Sequence, residues 1–324
     1  MRKLASIRTV NELNPIEGAD RIEVARLDGW NVIVEKGLHK AGDRVVYFEI
    51  DSLLPIEDQY EFLRDRCYVK NPEGFRIRTM KMRGVVSQGL VMPYSGSQEA
   101  GTDVTEEYGV TLYEKPLGML PPHIKGHWPH FLSKTDQERV QNISVPRTKY
   151  EVTLKLDGAS ETVYYNNGEI GVCSRNYKVE QEGVYWEAAI DILNALSLYG
   201  KNLAVQGELM GPGIQKNPLG LTSHEIYVFD IWDIDEQRYL YPVERYDTLF
   251  DLNRYVDWRI KQVLQLGLFE PAEVYDNEQD LREEILKMAD FTIDGKIQEG
   301  IVFKGYELPV SFKAINNKYL LKEK

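Results

Sequence analysis

Over its N-terminal third the chain alternates apolar and polar positions in short runs, the two-residue period of half-buried β-strands. Arg21–Leu27, Trp30–Glu35 and Arg44–Ile50 are such runs, and the turn signals Asp28-Gly29 and Gly42-Asp43 precede the second and third. Phe75–Lys81 and Gln88–Met92 add two more. This close spacing predicts a small β-barrel; an OB-type barrel fits a set of about five strands best, and strand number alone does not separate it from an SH3-like barrel. Between residues 93 and 130 the alternation gives way to a Pro-, His- and Gly-rich connection, which places a domain boundary near residue 120.

Beyond that boundary strands and helices mix without the regular repeat of a doubly wound sheet, so residues 1–120 and 121–324 together predict an α+β chain of two domains. Tyr150–Leu156 and Ser160–Tyr165 read as strands on either side of the Asp157-Gly158 turn. Trp186, Ile190, Leu193 and Leu196 fall on one stripe of a helix over 183–198. Leu203–Leu209 and Glu225–Ile231 read as strands, followed by helices over 243–250, 256–266 and 278–290. Two neighbouring strands, 300–304 and 309–315, complete the pattern.

Length and composition agree with two folded cores: 324 residues, 43% of them hydrophobic. No stretch approaches the roughly 20 apolar residues that cross a bilayer, so a cytoplasmic protein with no membrane partner is expected. Cys67 and Cys173 are too few and too distant for a disulfide framework or a metal knuckle. His123, His127 and His130 sit among prolines and glycines, where an ordinary loop competes with a metal site and is the plainer reading. A net charge of −12 argues against a uniformly basic surface. Locally the balance reverses: Arg64, Arg66, Lys70, Arg76, Arg78, Lys81 and Arg83 face only Asp65 and Glu73 between residues 64 and 83, a candidate set of phosphate contacts.

The chemistry centres on Lys155-Leu-Asp-Gly158, an amine beside a carboxylate at a strand end. Alone, the string is equally a solvated lysine and a turn-forming aspartate. Downstream, in order, come Cys173-Ser-Arg-Asn176, Gly207-Glu-Leu-Met-Gly211, Tyr227-Val-Phe-Asp-Ile231, Glu299-Gly-Ile-Val-Phe-Lys304 and Ser311-Phe-Lys-Ala-Ile-Asn316. With the entry segment Lys134-Thr-Asp-Gln-Glu-Arg139, this series resembles the covalent nucleotidyltransferase superfamily of RNA and DNA ligases and mRNA capping enzymes. It is most similar to RNA ligases in which an OB-like domain precedes an ATP-grasp-like nucleotidyltransferase domain. The match covers about residues 134–318.

That resemblance implies an ATP-dependent RNA ligase joining a 3′-hydroxyl to a 5′-phosphate through lysyl-AMP and an adenylated strand. It implies Lys155 as nucleophile, Arg175 as a nucleotide or phosphate contact, Glu208 on the ribose, and Phe229 as a platform for adenine. It further implies Glu299 as the acid that places Mg²⁺ or Mn²⁺, and Lys313 on the α-phosphate. Ile315 stands where a second lysine is common, and Lys318 is the candidate to supply that charge. Arg64, Arg66, Arg76, Arg78, Lys81 and Arg83 are the expected nucleic-acid contacts. The expected partners are RNA strands, including nicked duplexes and RNA/DNA hybrids, with no obligate protein partner. An attacking lysine must lose its proton, so a nearby cation or a metal-rich environment is expected to favour the neutral amine. A capping-type enzyme, a DNA ligase and a non-enzymatic nucleic-acid scaffold are the competing readings. The missing GxxxxGK[S/T] element disfavours a P-loop ATPase.

Overall fold

A computed structural model of the chain describes residues 3–113, 124–271 and 277–321. Two compact units emerge, Met1–Leu117 with Asn317–Lys324, and Gly118–Asn316. The boundary expected near residue 120, and His123, lie outside the described residues. The final residues group with the first unit instead of continuing the second. Asn316 still donates its N–H to the Glu299 carbonyl, and the short helix Asn317–Leu320 then begins.

In the first unit the Arg44–Phe48 strand lies between Ala5–Thr9 and Leu90–Pro93, antiparallel to both. Its two faces are buried in different cores: Val46 and Phe48 join one with Ile7, Leu54 and Phe75, while Val45 and Tyr47 join another with Trp30 and Val32. Glu12–Pro15, Ile22–Leu27 and Trp30–Glu35 form a second three-stranded sheet. Thr111–Leu112, Ser52–Leu54, Glu73–Arg76 and Tyr68–Lys70 form a third sheet, and Thr79–Met82 pairs with Val85–Gln88 as a hairpin. Among the described residues none of these sheets closes on itself, so the OB-like unit is not the closed barrel expected. One interruption is Gly89, at φ +107°, where a Cβ would lie 2.3 Å from the Tyr47 ring. It separates Val85–Gln88 from Leu90–Pro93, and the two runs pair in different sheets.

Two large sheets build the second unit, beside the small hairpin Thr292–Ile293 with Lys296–Ile297. The larger has the order Ile124–His127, Tyr177–Val179, Glu169–Ser174, Ala159–Asn166, Leu203–Met210, Glu225–Asp233, Arg238–Tyr239. The helix Gly183–Tyr199 packs on it, stopped by Gly200 in the left-handed conformation. The smaller sheet runs Glu138–Arg139, Ser311–Ile315, Gly300–Gly305, Tyr150–Lys155, Gln265–Phe269. Its core stacks Phe303 on Phe312 with centroids 4.8 Å apart, and Tyr150 stands edge-on to both rings.

Three local expectations fail. The segment 256–266 is not a helix: Asp257 and Trp258 take positive φ of 52° and 63°, and strands Lys261–Gln262 and Gln265–Phe269 follow. The alternation of Leu264, Leu266 and Leu268 is a strand period that the helical reading overlooked. The buried stripe of Gly183–Tyr199 is also rotated, carried by Ala189, Ile192, Leu193, Ala195 and Leu196, while Ile190 is exposed. Ile124–His127 forms a strand where a loop was expected, with His127 and His130 exposed.

Removing the Phe303 ring should cost more than its transfer free energy, because neighbouring rings cannot collapse into the gap. Phe303→Ala is expected to destabilise the chain by about 3–5 kcal/mol in urea unfolding; a loss below about 1 kcal/mol would contradict this packing.

Candidate active site

The smaller sheet aims its chemistry by the alternation of strands. Along Tyr150–Lys155, Tyr150 and Val152 enter the apolar core, so Glu151, Thr153 and Lys155 occupy the opposite face. Lys155 lies in register with Gly300, immediately after Glu299, and Lys313 lies in register with Val302. From the larger sheet come Ser160, Glu208, Phe229 and, just beyond Glu169–Ser174, Arg175. These side chains line one cavity of about 440 Å³, within the roughly 300–1,000 Å³ of small-molecule sites.

Lys155 Nζ lies 2.8 Å from Glu299 Oε1, with side-chain exposures of 25% and 17%. The pair is thus sheltered yet reachable. Burial by itself would lower the lysine pKa, but Glu299, Glu208 and Asp157 outweigh it and hold the amine above its ordinary value. Burial raises the Glu299 pKa against the pull of Lys155. Burial likewise pushes Glu208 up to about 7, opposed by Lys155 and by the Gly158 N–H, which donates to Glu208 Oε1 at 2.9 Å. Glycine is needed there: a Cβ on Gly158 would lie 2.4 Å from Met210 Sδ and 2.5 Å from the Leu209 carbonyl.

Phe229 reaches the cavity through a bulge. Gln206 pairs with Asp230 and Gly207 with Val228, which leaves Phe229 as the extra residue. Lys313 Nζ sits 3.3 Å from Asp136 Oδ1, and both line the cavity. Lys304 is buried, paired with Asp230, and its pKa is lowered by desolvation.

A divalent cation fits this donor set. Glu299 Oε2 is buried with no hydrogen-bond partner, an acceptor left over after Oε1 engages Lys155. Among the described residues no cluster of three or more potential ligands stands ready for a metal. Such a site suits an ion that completes its shell with substrate phosphate and water, as Mg²⁺ does.

Residues 4–94 match an OB-fold domain model and residues 148–315 match an RNA ligase model. No match to the chain is found among curated proteins. Several solved structures of Naegleria gruberi RNA ligase are similar along nearly the whole length. A variant in the apo form is 40% identical, covering 99% of this chain and 98% of that one, with a TM-score of 0.89. The enzyme with PPi is 41% identical over 99% and 98%, TM-score 0.88. A variant with ATP and Mn is 40% identical over 98% of each chain, TM-score 0.88. The chain belongs to the RNA ligase family.

The ligase brings Lys155, Arg175, Glu208, Phe229, Glu299 and Lys313 to one cavity, although up to 158 residues separate them, from Lys155 to Lys313. The side chains beside Lys155 are acids, not lysine or arginine: Glu208 and Glu299 arrive from opposite sheets, a setting that suits the metal-rich alternative. Ile315 is buried opposite Gly300, and Lys318 lies on the short helix grouped with the first unit. Asp136, Ser160 and Tyr185 also line the cavity, and the motif series does not point to them. Asp136 lies in the entry segment, but its pairing with Lys313 spans 177 positions and leaves no local signal.

The basic stretch divides. Arg64 is bonded to Glu61 and lies over Tyr68, and Arg76 is bonded to Asp51 and lies over Tyr113. Arg66 donates to Met82 Sδ, Arg78 donates to the Arg66 carbonyl, and Lys81 and Arg83 are exposed on or beside the hairpin.

The raised Glu208 pKa has a direct consequence. Below about pH 7 the carboxyl keeps its proton, and above it the acid cluster gains a negative charge. Because an ionised Glu208 strengthens the hold on the Lys155 ammonium, its titration is expected to add an inflection that damps the rise of adenylation with pH, and Glu208→Gln should erase that inflection while leaving the rise from Lys155 deprotonation. A pH–rate profile of single-turnover adenylation checks it; an unchanged inflection in the variant excludes Glu208 as its source.

Proposed function

We propose that this ligase joins RNA ends by ATP-dependent adenylation, with Lys155 as the group that carries AMP. The observation that bears most weight is the Lys155 amine, 2.8 Å from Glu299 in a cavity also lined by Glu208, Phe229, Arg175 and Lys313. The first unit is read as an OB-type nucleic-acid-binding module, and the second as an ATP-grasp-like adenylation domain.

In the first step Lys155 Nζ attacks the α-phosphorus of ATP. An N–P bond forms, the bond to the bridging oxygen of the β-phosphate breaks, and pyrophosphate leaves with that electron pair. Lys155 must first give up its proton, and drawing Glu299 toward another charge removes the partner that holds it as an ammonium. Glu299 is the residue that would hold Mg²⁺ or Mn²⁺; the chemistry such an ion supplies there is neutralisation of phosphate charge. Lys313, leaving Asp136, stabilises the charge that develops on the α-phosphate oxygens. Glu208 accepts from ribose hydroxyls, and Phe229 offers its face to adenine.

In the second step a 5′-phosphate oxygen of the donor RNA attacks the adenylate phosphorus, and Lys155 departs as an amine. In the third, the 3′-hydroxyl of the acceptor attacks the activated 5′-phosphate, a phosphodiester forms and AMP leaves. Arg175, exposed at the cavity edge, is suited to a phosphate in either exchange because its charge is permanent and its donors form a fork.

Incubation with α-labelled ATP and a divalent cation, followed by denaturing electrophoresis, is expected to label the parent and not Lys155→Ala. Undiminished label on the variant would refute the assignment. The exposed cations Arg66, Arg78, Lys81 and Arg83 are proposed to bind RNA phosphates. Changing all four to Gln should weaken RNA binding and reduce its salt slope by about 0.7 for each single-strand phosphate that is no longer neutralised, while self-adenylation persists. An unaltered slope would remove this surface from RNA binding.

A further inference from the structure

The cavity face of the smaller sheet continues inward as a line of charge that the reaction does not use. Glu151 shares its face with Thr153 and Lys155, but it is fully buried and lies opposite Lys304 on the neighbouring strand. From the larger sheet, Phe229 and Asp230 arrive at the bulge. Ile226, Val228 and Ile231 all join the same core despite the three-residue step, so the bulge turns Phe229 and Asp230 together toward the other side.

The Phe229 carbonyl accepts hydrogen bonds from two buried cations, Lys304 Nζ at 2.5 Å and Arg245 Nη1 at 3.3 Å. Each cation has its own carboxylate. Lys304 pairs with Asp230, and Arg245 Nη2 contacts both Glu151 oxygens at 2.7 Å. The Tyr246 hydroxyl also donates to Glu151. All four charged residues are less than a tenth exposed, and neither Arg245 nor Glu151 lines the cavity. Buried ion pairs are poor sources of net stability, because desolvation offsets most of their attraction. What this arrangement provides is geometry: the backbone of one bulged residue is fixed from both sheets and from the helix Pro242–Asn253.

We propose that Arg245, anchored by Glu151, is a positioning residue for the nucleobase, holding the Phe229 carbonyl so that the ring presents a fixed face to adenine. This rests on the reading of Phe229 as the adenine platform. Arg245 acts through Phe229 and touches no part of the nucleotide. Its loss therefore weakens recognition of the base and spares recognition of the phosphates.

The test compares two ligands on the full-length protein by calorimetry with Mg²⁺: α,β-methylene ATP, which cannot adenylate Lys155, and tripolyphosphate, which has no base. Glu151→Gln/Arg245→Gln exchanges the buried ion pair for two amides that hydrogen-bond each other, avoiding a lone buried charge. It is expected to weaken the ATP analogue about tenfold, within the range of one lost base–aromatic stack, and to leave tripolyphosphate within about twofold. Arg245→Lys, which keeps a charge beside Glu151, is scored by the same ratio. Unchanged affinity for the ATP analogue, or equal weakening of both ligands, overturns the proposal. Phe229→Ala separates the two readings. If it lowers the ratio while the Arg245 variants do not, the platform stands and the clamp falls; if it leaves the ratio unchanged, both fall.

Discussion

An amine set against a carboxylate between two sheets is the constraint on which the catalytic unit depends. Lys155 and Glu299 come from the smaller sheet, and Glu208 reaches the same point from the larger one. Neither sheet alone assembles the charge balance. The acids hold Lys155 as an ammonium, which is not nucleophilic. In the proposed reaction, redistributing the charge around Glu299 is what frees Lys155, so occupation of the cavity and activation of the amine are one event. In the same way Lys313 is paired with Asp136 across the cavity.

The bulge in Glu225–Asp233 is the second device. A regular strand would alternate Phe229 and Asp230 to opposite faces, and only one could serve the cavity side. The extra residue lets an aromatic ring and a carboxylate project together, and it releases a carbonyl from the ladder for Lys304 and Arg245. Gly207 permits the matching close approach on the partner strand, since a Cβ there would lie 2.4 Å from Ile226 Cγ2. The irregularity sits where function needs two adjacent side chains on one face.

In the first unit both faces of the Arg44–Phe48 strand are consumed by packing, and Lys81 and Arg83 stay exposed on and beside the hairpin of Thr79–Met82 and Val85–Gln88. Arg64 and Arg76 are committed to carboxylates and aromatic faces. The exposed remainder of the basic run is smaller than the number of its charges suggests.

The sequence by itself determined most strands and pointed to the candidate groups that share the cavity. Both are local: a two-residue period marks a strand from its own side chains, and the ordered motifs from Lys155 to Lys313 carry the chemistry in their residue types. Tertiary structure alone decided what those groups meet. The protein groups beside Lys155 are acids, Arg76 is paired with Asp51, and Lys304 and Arg245 converge on one carbonyl. The positive φ of Asp257 and Trp258 replaced an apparent helix with strands, and among the described residues the small sheets of the first unit did not close. Each outcome depends on partners distant in the chain, and the free energy of burying a charge or pairing a strand edge belongs to the two groups together, not to either residue.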